Sequence, residues 1–252
     1  MFKISVLTAT YDSESTIGDL INSLREQNDD EFEWVVADGG STDNTVPFIE
    51  REKGKGKLNV KIIYGPDFGI YDALNKAVKA SSGDYYLVVG SDDVLNFNAI
   101  INFKKNMTSS EDIITAKCDK KSAVKRFIDK HDALAPMRKY VYGHSVYTCF
   151  KKSLHEKHGY YSRRYPIAAD LLFIRKCVLG GAKIKKCNFT PGFFSENGVS
   201  STDTIGVLAE TMRVQIETGV KPYIAVSVFL LRLINYRVKD IWLQKSARKS
   251  VT

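Results

Sequence analysis

The sequence predicts an α/β fold, a Rossmann-like, mostly parallel sheet with helices on both faces. Three observations predict it. Over the first hundred residues, short apolar, β-branched or aromatic runs alternate with segments of helical periodicity. Each run is closed by a turn or a polar group. A carboxylate closes or follows every run, which would place them on one rim, at the strand ends where such sheets bind ligands.

Taken in order, "KISVLTA" (3–9) is the first strand, followed by Thr10, Tyr11 and Asp12. Ile17, Leu20, Ile21 and Leu24 fall on one helix face at i, i+3, i+4, i+7, with Thr16 as N-cap. "FEWVVAD" (32–38) is the second strand. A helix near 43–53 carries Pro47 in its first turn and ends at "KGKGK". "VKIIYG" (60–65) is the third strand, Ile70, Leu74, Ala77 and Val78 mark the next helix, and "YYLVVG" (85–90) is the fourth strand.

Beyond residue 95 the pattern loosens. "DIITAKC" (112–118), "SAVKRFI" (122–128), "SVYTCF" (145–150) and "KIKKCNF" (183–189) are strand-like. "KKSLHEKHG" (151–159) and "AADLLFIRKCVLGG" (168–181) are helical, and a helix from Thr204 to Thr218 is capped by Asp203 and stopped by Gly219. No linker separates two halves, so one domain over 1–218 is expected, with a tail over 219–252.

Composition narrows the class. Hydrophobic and charged fractions of 44% and 26% suit a soluble globular protein. Cys118, Cys149, Cys177 and Cys187 show no C-x-x-C pair, so they read as reduced thiols of a cytosolic protein. "MFKISVLTATYDSE" reads as a first strand rather than a signal peptide. The longest apolar stretch, "YIAVSVFLLRLI" (223–234), is broken by Arg232 and falls short of the ~18 residues a membrane span needs.

Of the net charge of +8, +6 belongs to residues 219–252. On a helical wheel Lys221, Arg232, Asn235 and Lys239 fall within about 60°. Ile224, Val226, Val228, Phe229, Leu231, Ile234, Val238 and Trp242 occupy much of the rest. Such a basic amphipathic helix suits a membrane interface, and equally a packed position on the domain or between two copies.

The rim carboxylates are unequal. Asp43 reads as a helix cap and Asp67 as a turn residue or a ligand contact. Asp92 and Asp93 follow an apolar strand directly, and two adjacent like charges serve a turn poorly. Hard oxygen donors of this kind suit Mg2+ or Mn2+, which take one or two carboxylates plus substrate phosphate oxygens. Neither G-x-G-x-x-G nor G-x-x-x-x-G-K-[ST] is present. His155 and His158 lack a third metal ligand and are expected on a solvated helix face.

"SVLTATYDSESTI", "VVADGGSTDNT", "GPDFGIYDALNKAVKASSGDYYLVVGSDD" and "GYYSRRYPIAADLLF" together resemble the family 2 glycosyltransferases, in particular those that build bacterial capsule, colanic-acid-type or O-antigen polysaccharide. The resemblance implies the GT-A fold, with a nucleotide-sugar half over about 1–95 and an acceptor half over about 96–218. It implies inverting transfer from a nucleotide sugar, UDP favoured, with Mn2+ or Mg2+. Thr8, Ala9, Thr10 and Tyr11 would lie against the nucleoside, with Asp38 and Gly39 at the base edge. Asp67, Tyr71, Asp72, Asn75, Ser91 and Asp92 would line the donor site, with Asp92 facing the ribose or the metal, Asp93 would bind the metal, and Asp170 would be the catalytic base. His144 would contact the acceptor. The family often has Asn where Asp12 stands and His-Gln where His144-Ser145 stands.

Inversion independently needs a carboxylate to take the acceptor hydroxyl proton opposite the departing diphosphate, from a different loop than the metal carboxylates. The expected partners are a nucleotide-sugar donor, a saccharide acceptor such as an undecaprenyl-diphosphate-linked one, and the inner face of the cytoplasmic membrane. No nucleic acid is expected, and a homo-oligomer stays open. Two other readings are a metal-dependent nucleotidyltransferase, which wants a basic Gly-rich triphosphate loop that is missing, and nucleic-acid binding through the tail, which leaves the acidic rim unexplained.

Overall fold

The computed structural model describes residues 2–117, 140–195 and 203–249, with side chains as far as residue 238. The chain divides into two compact units, Met1–Glu196 and Asn197–Thr252. The boundary expected at 218/219 falls inside the second unit, where the helices on either side of it pack together.

In the first unit β1 (Ile4–Thr10), β2 (Phe32–Asp38), β3 (Asn59–Tyr64) and β4 (Tyr85–Val88) pair in parallel, and all four were expected. Next come β5 (Val94–Leu95), β6 (Ile113–Ala116), β7 (Thr148–Lys151), β8 (Ile184–Cys187) and β9 (Gly192–Phe193). The main sheet has the order β3-β2-β1-β4-β7-β6-β8 and is parallel except for β7, while β5 and β9 form a separate antiparallel pair. "SAVKRFI" lies outside the described residues.

Strands buried on both faces read as continuous apolar runs, and β2 is buried along its whole length. On one face Ile4, Val6, Trp34 and Val36 join Ile17, Leu20, Ile21 and Leu24 of α1 (Ile17–Arg25) and Ile49 of α2 (Thr45–Gly54). On the other, α3 (Ile70–Ala80) packs on β1 and β2, burying Ala73, Leu74, Ala77 and Val78. The sequence reading missed α4 (Ala99–Asn106), whose Ile100 and Phe103 complete the first face. It also missed β5 and β9, two-residue strands too short for a period to register. Thr16 stands at the N-cap of α1, but its hydroxyl donates to Ser13 O instead of capping. After α5 (Leu154–His158) and α6 (Ala169–Leu179), the buried Cys149, Cys177 and Cys187 are free thiols; Cys118 lies outside the described residues.

The second unit holds α7 (Thr204–Glu217) and α8 (Pro222–Lys249), packed on each other. Asp203 caps α7 by accepting from Gly206 N at 2.7 Å, and Gly219 at φ 91° ends it, both as expected. Of the expected basic stripe Lys221 and Asn235 are exposed, and the side chain of Lys239 lies outside the described residues. Arg232 is half-buried, whereas Tyr223, Val226, Leu230, Leu231, Ile234 and Val238 are exposed. Among the described residues no helix is long and apolar enough to cross a membrane.

At the amino ends of the strands a buried carboxylate holds the sheet to the α3–β4 turn. Glu33, opposite Ser5 on β1, accepts from Ser5 Oγ, Ser82 N, Ser82 Oγ and Gly83 N. Desolvation pushes its pKa up, but the bonds from Ser5 and Ser82 and the charge of Lys3 outweigh it, leaving the group below its ordinary value. Glu33→Gln should therefore cost about 1.5–3 kcal/mol near neutral pH. A depressed carboxylate stabilises above its unfolded pKa, about 4.3, and loses that stabilisation as pH falls through the folded value. Urea unfolding of both proteins from neutral to acid pH should show the gap closing below that value. A gap independent of pH would contradict the assignment.

Candidate active site

The carboxyl ends of β1 and β2 are tied by one aspartate. Asp38 Oδ1 accepts from Gly40 N and Ser41 N at 3.0 and 2.9 Å, and Oδ2 accepts from Thr10 Oγ1 at 3.0 Å and from Ser41 Oγ. A buried anion needs such a set of donors. Asp38 therefore shapes the 39–41 turn and does not present an open carboxylate. Thr8 departs from expectation more sharply: it is fully buried and accepts from Trp34 Nε1 at 2.9 Å, so it belongs to the core. Ala9 is half-buried, and Tyr11 alone of the 8–11 segment presents its side chain to solvent, at 66% exposure. Asp12 follows at φ 44°, accepting from Thr42 N. Asp and Asn tolerate that left-handed conformation better than other side chains, which accounts for Asp where the resemblance has Asn.

Gly39 and Asp67 meet across the rim. A Cβ at Gly39 would lie 2.7 Å from Asp67 Oδ2, so any other residue there would have to displace the Asp67 carboxylate. Asp67 also accepts from Gly69 N, which makes it turn residue and rim carboxylate at once. Asp43, expected as a helix cap, stands one residue before the N-cap Asn44 and closes the turn by accepting from Thr45 N and Glu14 N.

Two expected donor-site residues on α3 are struts. Asp72 Oδ1 accepts from Arg163 Nε and Nη2 at 2.9 and 2.5 Å, and the guanidinium lies 4.7 Å from the Phe68 ring centre. Desolvation pushes the Asp72 carboxyl up, but Arg163 and Phe68 N outweigh it and hold it below the usual range. Asn75 spends its amide on the backbone N and O of Tyr161, at 2.9 and 2.8 Å. Tyr71 donates to Ile167 O at 2.9 Å, and burial together with the adjacent Asp170 pushes its phenol well above the usual range.

After β4 the two aspartates part company. Asp93 is 1% exposed; Oδ2 accepts from Gly90 N and Ser145 Oγ, both at 2.7 Å, and Oδ1 accepts from Ser195 N at 2.9 Å. Burial pushes its pKa up, with those bonds opposing and the charge of Asp92 adding. Asp92 is half-buried, like Ser91, and no donor among the described residues bonds to it. No group of three His, Cys, Asp or Glu among the described residues could hold a metal by itself. One open carboxylate with another behind it suits a hard divalent cation that takes its remaining ligands from phosphate and water.

Asp170 stands in the first turn of α6, after the N-cap Ala168, and its Oδ1 accepts from Leu171 N at 2.7 Å. Its charge acts on Tyr71, Tyr161 and His144. His144 is 9% exposed and kept neutral by burial, with Nε2 2.7 Å from Tyr161 Oη. His155 was expected on a solvated face but is 2% exposed, stacked on Phe173 at 4.2 Å. Its partners come from α6 and β4, which spacing along α5 cannot reveal. The sequence reading also passed over Ser145, Ser195, Tyr161 and Arg163; for the last two the signal was the dense "GYYSRRYP". A surface hollow of about 300 Å³ lined by Phe2, Phe32, Asn59 and Lys104 opens at the amino ends of the strands and shares no residue with this rim.

The model of the Glycosyl transferase family 2 matches residues 5–167. Poly(ribitol-phosphate) beta-N-acetylglucosaminyltransferase TarS of Staphylococcus aureus is 40% identical over 98 residues, 38% of this chain and 17% of TarS, so the match spans about a sixth of that relative. Among solved structures, S. aureus TarS 1–349 in complex with UDP-GlcNAc aligns with a TM-score of 0.67 and 24% identity, over 88% of this chain and 69% of that one. The mannosyltransferase PcManGT of Pyrobaculum calidifontis, in complex with GDP-Man and Mn2+, aligns at 0.66 and 18%, over 85% and 63%. At these identities the two structures speak for the fold.

The crowding at Gly90 is open to test. A Cβ there would lie 2.9 Å from both Asp92 Oδ1 and Asp93 Oδ2, whereas one at Gly18 meets nothing within 4 Å. Gly90→Ala should destabilise by about 1–3 kcal/mol, and Gly18→Ala should be neutral or gain up to ~1 kcal/mol. Equal denaturation midpoints for the two variants would contradict the geometry.

Proposed function

The chain belongs to glycosyltransferase family 2, and from that premise we propose that it is a metal-dependent inverting glycosyltransferase. It moves a sugar from a nucleoside-diphosphate sugar, UDP favoured, to a saccharide acceptor. One observation carries the reading: at the carboxyl ends of the strands Asp38 and Asp93 each accept three or more protein donors, while the half-buried Asp92 accepts none among the described residues and Asp170, held by Leu171 N and Tyr71, stands at the start of α6. The TarS complex with UDP-GlcNAc and the PcManGT complex with Mn2+ support the donor and metal classes.

The roles follow from the surroundings. Tyr11 flanks the nucleoside and the Gly39–Asp67 contact closes the base edge. Asp92 would hold a divalent cation, which when bound supplies charge neutralisation for the departing diphosphate. Asp93, assigned to the metal from sequence, instead fixes the loop that aims Asp92. The acceptor hydroxyl oxygen attacks the anomeric carbon as the bond to the diphosphate oxygen breaks, and Asp170 takes the hydroxyl proton. Leu171 N and Tyr71 orient Asp170.

Nucleotide-sugar binding and transfer separate these roles. Asp170→Asn should keep donor binding and lose transfer by roughly 10²- to 10⁴-fold; full transfer would reject the base. Asp92→Ala should lose cation-dependent donor binding with little change in melting temperature, whereas Asp93→Ala should lower the melting temperature as well. The reverse pattern would return the metal to Asp93.

The acceptor class we propose is a lipid-linked saccharide, such as one on undecaprenyl diphosphate, in bacterial surface polysaccharide synthesis. Attachment would be peripheral, at the inner face of the cytoplasmic membrane. The support is the exposed apolar side of α8, with Leu230, Ile234 and Val238 beside the exposed Arg237. Apolar insertion with flanking basic residues is how interfacial helices bind anionic bilayers. Leu230→Asp with Ile234→Asp should abolish co-sedimentation with phosphatidylglycerol-containing vesicles. Undiminished co-sedimentation would sink the membrane reading.

A further inference from the structure

Four buried side chains that the transfer step does not use form one unbroken polar line. His144 Nε2 lies 2.7 Å from Tyr161 Oη, which lies 2.9 Å from Tyr86 Oη, which lies 2.8 Å from His155 Nε2. The line ends where His155 Nδ1 meets Gly159 O at 3.1 Å. Phe150 and Phe173 pack around it, and no member is more than 9% exposed.

Proton counting gives the line a single direction. A carbonyl only accepts, so His155 carries its proton on Nδ1. Burial holds His155 neutral, its pKa lowered to about 4, so Nε2 is bare and accepts from Tyr86. Tyr86 has then spent its one proton, and its oxygen accepts from Tyr161. Tyr161 is spent in turn, and its oxygen accepts from His144 Nε2–H. His144, also neutral, is left with a bare Nδ1 that no donor among the described residues reaches.

The position of His144 is held independently. Its neighbour Ser145 donates to Asp93, and Val146 is fixed at φ 65° with its N–H on Val88 O at 2.7 Å. A β-branched residue in that conformation is strained, so the surroundings dictate the 144–146 backbone. His144 therefore sits between the Asp93 loop and Asp170, whose charge reaches it.

We infer that this line is a tautomer lock: the Gly159 carbonyl, through His155, Tyr86 and Tyr161, fixes His144 as the Nε2–H form and presents its Nδ1 to a sugar hydroxyl. The ligand half rests on the sugar-transfer reading above. A buried acceptor without a donor is costly, and a sugar hydroxyl supplies the missing proton. A polar site built this way rejects an analogue lacking that hydroxyl. Donor sugar and acceptor both carry hydroxyls, so the chemistry is shared and the source is for experiment. Tyr86, Tyr161 and His155 are positioning residues.

Nitrogen-15 NMR of histidine-labelled protein at neutral pH reads the lock without any substrate. Wild type should show Nε2–H for His144 and Nδ1–H for His155; a protonated Nδ1 on His144 would overturn the proposal. In Tyr86→Phe the Tyr161 proton is released from Tyr86 and can turn toward His144 Nε2, so the Nδ1–H form of His144 should appear. In Tyr161→Phe the His155 tautomer should persist, since Tyr86 still donates to it. Both tautomers unchanged in Tyr86→Phe would break the relay.

For the ligand half, KM for one sugar substrate should rise roughly two- to twelve-fold in Tyr86→Phe, the worth of one hydrogen bond between neutral groups. A deoxy analogue of the contacting sugar should abolish the difference between wild type and variant. Deoxy donors and deoxy acceptors, tried in turn, identify which substrate it is. Transfer with unchanged KM in a tautomer-shifted variant overturns the ligand half alone. Absence of transfer with any nucleotide sugar overturns the sugar-transfer reading instead and leaves the tautomer result standing.

Discussion

A carboxylate buried inside a protein must be met by hydrogen-bond donors, and three such groups organise this sheet. Glu33 draws together β1, β2 and the turn before β4 at the amino edge. Asp38 closes the loop after β2 on Thr10, and Asp93 gathers Gly90, Ser145 and Ser195 at the carboxyl edge. Between them β2 is buried along its whole length, and Thr8 on β1 is held in the core by Trp34. The loops are therefore aimed by buried anions accepting backbone N–H and hydroxyl protons.

This constraint divides the acidic rim into two kinds of residue. Those saturated by hydrogen bonds are scaffold, and changing them disturbs structure before chemistry. Asp92 accepts nothing among the described residues, and Asp170 accepts from Leu171 N on Oδ1 with Tyr71 beside it, fewer donors than Asp38 or Asp93 take. Local strain follows the same line: Asp12 at φ 44°, Val146 at φ 65° and the tight approach at Gly39 all lie on this edge. Strain of this sort persists only where neighbouring bonds over-determine the backbone.

The sequence showed the parts whose signal is local. A parallel strand buried on both faces announces itself as an apolar run, so β1 to β4 were legible, and so was the rim they end on. The helix α3 was legible from Ile70, Leu74, Ala77 and Val78, of which the last three are buried and Ile70 is exposed. What stayed hidden depends on partners distant in sequence. Thr8 looks like a binding-loop hydroxyl until Trp34 Nε1 is found on it. Asp92 and Asp93 are alike in sequence, and only Ser145 and Ser195, 52 and 102 residues beyond Asp93, tell them apart. His155 and His158 at i, i+3 look like an exposed pair, because nothing in the spacing announces the stacking of His155 on Phe173.

The direction of β7 explains how two halves far apart in sequence share one edge. β7 runs antiparallel to β4, with Leu87 opposite Cys149 and Tyr85 opposite Lys151. The residues entering β7 therefore lie beyond the carboxyl end of β4, where Asp92 and Asp93 emerge. A parallel strand in that place would bring 144–146 to the amino edge, beside Glu33, and leave Asp93 without its Ser145 donor. With β7 reversed, contact runs from Asp93 to Ser145, through the neighbouring His144 to Tyr161, across 5.5 Å to the Tyr71 ring, and on to Asp170. The leaving-group side and the base side are thus held in fixed register by one reversed strand. A substitution that loosens the 144–146 turn should disturb both sides together, since neither end of that path has another tie to the other among these contacts.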